Sequence, residues 1–104
     1  MTVGEAIRSL RLAAGLMQRE VAERVGITAS MLSLVEADKR EPSISVLRAI
    51  GRALGVPTGV LFAIALQDDD VARGTTAARK TQKLVEELFA AALDGVAARG
   101  RKAS

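Results

Sequence analysis

Between Gln18 and Arg40 the chain sets amide, hydroxyl and cationic side chains at or beside two expected helix starts. Gln18 stands at the first, Thr28, Ser30 and Ser33 at and along the second, and Lys39 and Arg40 just beyond it. Such groups exchange hydrogen bonds and hold anions, and none is a nucleophile beside a base. The chain contains no cysteine and no histidine. Disulfides, thiolate or imidazole metal sites, and the nucleophile–base pairs built on those residues are therefore excluded. Phe62 and Phe89 are the only aromatic residues, too few for a platform on which bases stack. Asp68, Asp69 and Asp70 are consecutive carboxylates without the converging geometry of a metal site. No catalytic residue, metal or cofactor is expected. The chemistry that remains is recognition, because a free helix start offers unpaired N–H groups and positive potential to an anion.

The elements that must position these groups are helical throughout. Val3, Ile7, Leu10 and Ala14 recur at helical spacing and predict a first helix over about 2–14, ended by Gly15. A second runs from Gln18 to Val25 and stops at Gly26. Thr28 caps a third over 29–36, and Asp38 to Pro42 breaks the pattern. Ser43 caps a fourth through Leu54, closed by Gly55, and Pro57 and Thr58 open a fifth to about Leu66. Residues 67–76 read as a linker or as a frayed helix end, and are assigned to a linker. The composition then shifts to Ala, Leu, Glu and Lys, predicting a long amphipathic helix over 77–99 and a disordered tail over 100–104. No strand pattern persists. The expected architecture is all-α, with a domain over 1–66 and one appended helix.

The spacing inside 18–36 is the informative part. Counting from Gln18, a small residue stands fifth (Ala22), a glycine ninth (Gly26), and apolar residues fill the fourth, eighth, tenth, fifteenth and eighteenth places (Val21, Val25, Ile27, Leu32, Val35). A close, near-perpendicular crossing of two short helices around a left-handed turn has these needs. Two readings follow: a helix-turn-helix that binds DNA, or a structural hairpin with no ligand.

Over Ile7 to about Phe62 the chain resembles the XRE family of Cro and CI-type repressors. The resemblance rests on Ile7 to Leu16, Gln18, Val21-Ala22, Val25 to Thr28, Leu32 to Glu36, Lys39 to Ser43 and Leu54 to Pro57. It implies a five-helix, lambda-repressor-like DNA-binding domain, usually dimeric, whose third helix enters the major groove of double-stranded DNA. Carried over by position, it places Gln18 and Thr28 on the phosphate backbone and Ala29, Ser30, Ser33 and Leu34 toward the bases. Lys39 and Arg40 follow the recognition helix, where they can grip flanking phosphates. Arg11 and Glu36 match a largely buried structural salt bridge. The sequence departs from the family pattern at Met17, where a Ser, Thr or Asn cap is usual, and at Ala37-Asp38, where a glycine usually makes the turn. The third helix also lacks the Arg, Asn and Gln that pair bidentately with bases, so specificity is expected to rest partly on DNA shape.

The helix over 77–99 lies beyond the resemblance. Its stripe of Leu84, Val85, Leu88, Phe89, Ala92 and Val96 requires burial, either back on the domain or against a second copy, and the sequence reading favours the second copy. A homodimer places two recognition helices about one turn of DNA apart, matching a palindromic operator. With 15 basic and 12 acidic side chains the net charge is only +3, so local placement matters more than the total. No apolar run approaches a membrane span, and no secretory signal is visible. The expectation is a cytoplasmic transcriptional repressor. The alternative is an antitoxin or adaptor whose last helix binds a protein partner.

Overall fold

The computed structural model describes the backbone of residues 1–71 and 76–103, and the side chains of residues 1–67 and 76–100. Every described element is a helix. Helix α1 (Val3–Ala13) opens on a reciprocal cap: the Thr2 hydroxyl accepts the Glu5 N–H at 3.1 Å, and the Glu5 carboxylate accepts the Thr2 N–H at 3.3 Å. Helix α2 (Gln18–Val25) starts after Met17, which gives no side-chain cap; the Glu20 carboxylate instead accepts the Met17 N–H at 3.0 Å. Gly26, at φ 87°, turns the chain into α3 (Ala29–Glu36), where the Thr28 hydroxyl accepts the Met31 N–H at 3.0 Å. Ser43 caps α4 (Ile44–Leu54) in the same way, through the Val46 N–H at 3.2 Å. Helices α5 (Thr58–Val71) and α6 (Thr76–Ala103) complete the fold.

The helical stripes read from sequence meet in one core. Ile7 and Leu10 of α1, Val21 of α2, Leu32 and Val35 of α3, Ile50 of α4, and Leu61 and Ile64 of α5 are all essentially inaccessible to solvent. Burying each such side chain contributes roughly 1.5–3 kcal/mol. Because α1 packs against α3, α4, α5 and α6, it is the helix from which the others are positioned.

Three expectations change at the C-terminal side. Residues 67–71 belong to α5 rather than to a linker: Gln67 is buried, and its amide donates to the Ala78 carbonyl at 3.0 Å. Residues 72–75 and the side chains of Asp68 to Asp70 lie outside the described residues. Helix α6 also continues through Gly100 to Ala103 instead of fraying there; Ser104 lies outside the described residues. At Gly100 the helix passes close to the end of α1, where a Cβ would sit 3.2 Å from the Ala13 carbonyl oxygen.

The third change concerns the apolar stripe. Helix α6 folds back along α5 and α1, so Val85 and Val96 enter the chain's own core and Phe89 and Ala92 pack against it. Leu84 and Leu88 point the other way, 60% and 52% exposed. A single dimer stripe of six residues is thus corrected to four that face inward and two that face out. One polar tie reinforces the packing: the Arg99 guanidinium donates to the Gly55 carbonyl, at the end of α4, over 2.7 Å.

Candidate nucleic-acid interface

Helix α3 is fastened from behind by a buried polar network. Glu36, the last residue of α3, accepts from Arg11 Nε at 2.8 Å and from a terminal guanidinium nitrogen at 3.0 Å. The other terminal nitrogen donates to the Leu16 carbonyl at 2.9 Å. Arg11 and Glu36 are buried, so the charges depend on each other and on these hydrogen bonds for what water no longer supplies. The pair expected from sequence is present, with bidentate geometry. Gln18 joins it, donating its amide N–H to Glu36 Oε1 at 3.1 Å.

That last bond places Gln18 beside the outer face of α3. Gln18, Ala29, Ser30, Ser33 and Leu34 line one shallow, open depression. The α3 members are exposed and the Gln18 side chain is half-buried. Five residues singled out in the sequence are therefore brought together on one surface. The face offers two hydroxyls, an amide, a methyl and the edge of a leucine. It suits hydrogen bonding and apolar contact with a base edge, and it carries no cation of its own.

Arg8, which the sequence reading missed, stands next to that surface. It lines a neighbouring depression with Arg11, Gln18, Ser33, Glu36 and Ala37, and it is exposed. The signal was available in the i, i+3 relation of Arg8 to Arg11, which sets the two on neighbouring positions of α1. Thr28 caps α3 and is exposed at its start. At the other end of α3, Lys39 and Arg40 are exposed in the turn before α4. Arg40 lines a separate depression with Asp38, Glu41 and Pro42, so Arg8 is the cation that the structure sets beside Gln18 and Ser33.

No helix among the described residues is long and apolar enough to cross a membrane, and no described cluster of carboxylates could hold a metal ion. The family description "Helix-turn-helix" matches residues 7–61. The immunity repressor protein of Bacillus phage phi105 is 36% identical over 61 residues, covering 59% of this chain and 42% of the repressor. The transcriptional regulator ClgR of Mycobacterium tuberculosis is 32% identical over 88 residues, 81% of this chain and 79% of that protein. The transcriptional regulator PuuR of Escherichia coli is 36% identical over 59 residues, 57% of this chain and 32% of PuuR. The chain therefore spans less than half of the phage repressor and of PuuR, but most of ClgR. No solved structure matches the chain significantly.

Proposed function

Because the chain belongs to the helix-turn-helix family matched over residues 7–61, we propose that it is a sequence-specific DNA-binding transcriptional regulator. In this reading it represses by occupying a palindromic operator as a homodimer. Helix α3 enters the major groove, with Ala29, Ser30, Ser33 and Leu34 at the base edges. Gln18, Thr28, Lys39 and Arg40 hold phosphates on either side, and Arg8 extends that grip from α1. The observation that carries the reading is the depression in which Gln18 adjoins the four outward residues of α3. An uncharged, hydrogen-bonding face with Arg8 beside it suits base edges, while cations at its margins suit the backbone.

The homodimer is supported by Leu84 and Leu88, the outward leucines of α6. Likeness to ClgR over 81% of the chain must reach beyond the matched family region into α6, so that helix belongs with the regulator. The same leucines favour a second reading, an antitoxin or adaptor that holds a protein partner there. Selection of bound fragments from random duplex DNA by the full chain distinguishes the two. A two-fold symmetric site enriched by the wild type supports the homodimeric regulator. Ser33→Ala should then change the enriched sequence, whereas Gln18→Ala should keep the sequence and weaken binding to all fragments alike. No enrichment, together with a stoichiometric protein that co-purifies and is lost on replacing Leu84 and Leu88 by Glu, sinks the regulator in favour of the second reading.

A further inference from the structure

The turn that carries Lys39 and Arg40 is held in place from an unexpected side. Helix α3 ends in a pair of reverse hydrogen bonds, the Lys39 N–H to the Leu34 carbonyl at 2.9 Å and the Asp38 N–H to the Val35 carbonyl at 3.1 Å. This closure needs a left-handed residue at position 38, usually a glycine. Here it is Asp38, at φ 60°, the one described residue other than glycine with positive φ. Its side chain does what a glycine cannot. One carboxylate oxygen accepts the Gly4 N–H at 3.2 Å, and the other accepts the Thr2 hydroxyl. Asp38 therefore caps the start of α1 from 34 residues away, with its charge against the positive end of that helix.

Gly4 makes the approach possible. A Cβ there would meet the Val35 carbonyl oxygen, and would lie 2.5 Å from the Asp38 carboxylate and 2.8 Å from the Glu36 carbonyl oxygen. The first turn of α1 and the last turn of α3 thus meet backbone to backbone, with the Asp38 carboxylate bridging them. The Thr2 hydroxyl serves both sides, accepting from Glu5 within α1 and donating to Asp38.

We propose that Asp38 is a positioning residue for DNA binding: by tying the left-handed turn to the start of α1, it fixes where Lys39 and Arg40 meet the phosphates. This rests on the DNA-binding reading above. The competing role for a carboxylate next to these cations is simple repulsion of DNA, and the two roles differ in sign. Asp38→Gly keeps the left-handed turn but removes the tie. Asp38→Asn tolerates the same turn and keeps an acceptor for the Gly4 N–H, while removing the charge.

The test is the affinity of the full chain for a labelled random-sequence duplex, measured across about 50 to 200 mM salt, with thermal midpoints recorded for each variant. If Asp38 positions the turn, Asp38→Gly binds roughly tenfold more weakly at the low-salt end, and its log–log salt slope becomes shallower by about 0.9 for each phosphate no longer neutralised. Asp38→Asn should restore both affinity and slope. Equal tightening by both variants, or unchanged binding by Asp38→Gly, overturns the proposal and leaves the DNA-binding reading standing. No salt-dependent binding by the wild type overturns both.

Discussion

Helices α3 and α6 both pack against α1, and they are held by different kinds of interaction. Helix α3 contributes Leu32 and Val35 to the core and ends in Glu36, which is bonded to Arg11 and Gln18. Its final turn is then tied to the start of α1 through Asp38. Helix α6 contributes Val85 and Val96, with polar ties at Arg99 and Gln67, and no buried ion pair among the described residues. The outer faces differ as well. The firmly fastened helix shows two serines beside Ala29 and Leu34, while the other shows two leucines. In the proposed reading α3 meets base edges, and such a helix must be held within a fraction of an ångström of its register; directional bonds supply that where apolar packing alone does not. A helix that covers a core has no such need.

The contrast can be broken by three substitutions of falling size. Glu36→Ala leaves the Arg11 guanidinium buried without its counter-ion and removes the acceptor of Gln18; a loss of about 3–5 kcal/mol is expected from denaturant unfolding. A loss below about 1 kcal/mol shows that α3 is held by its apolar face alone. On α6, Val96→Ala removes two buried methyl groups' worth of packing, and about 1.5 kcal/mol should be lost. Leu88→Ala, on the exposed side of the same helix, should change monomer stability by no more than about 0.5 kcal/mol. If Leu88→Ala costs as much as Val96→Ala in dilute protein, the assignment of inner and outer faces is wrong.

Much of the first contrast is legible in the sequence. The turn glycine, Ala22 and the spacing of Val21, Ile27, Leu32 and Val35 define the two short helices, because a close crossing tolerates few residue types at those places. The Arg11–Glu36 pair follows from family resemblance and is present. The bond from Gln18 to Glu36 has no such signal, since the resemblance assigns Gln18 only to a phosphate. By local rules Asp38 is a poorer turn residue than glycine and carries an unhelpful charge. Its real partners, Thr2 and Gly4, are distant in sequence, and no local rule connects them.

The stripe on α6 fails for a different reason. At about 100° per residue, Val85, Phe89, Ala92 and Val96 cluster within roughly 60° of one another, with Leu84 and Leu88 to one side. Grouping the six apolar residues as one stripe spreads it over roughly 140°, and only one side of that arc meets α1 and α5. Nor does any sequence signal show that Arg99 reaches Gly55 or that Gly100 meets the end of α1, because these approaches depend on where α6 returns.

The central claim, that of the proposed function, is that the outer face of α3 meets base edges while Lys39, Arg40 and Arg8 hold the DNA backbone. The most direct measurement is the affinity of the wild-type full chain for its selected duplex as salt is raised. With Lys39 and Arg40 each neutralising a phosphate in both chains of a dimer, log affinity should fall with log salt at a slope of about −3 to −4, with Arg8 steepening it further. A flat dependence contradicts the account, because a duplex bound without releasing counterions is not held by those cations.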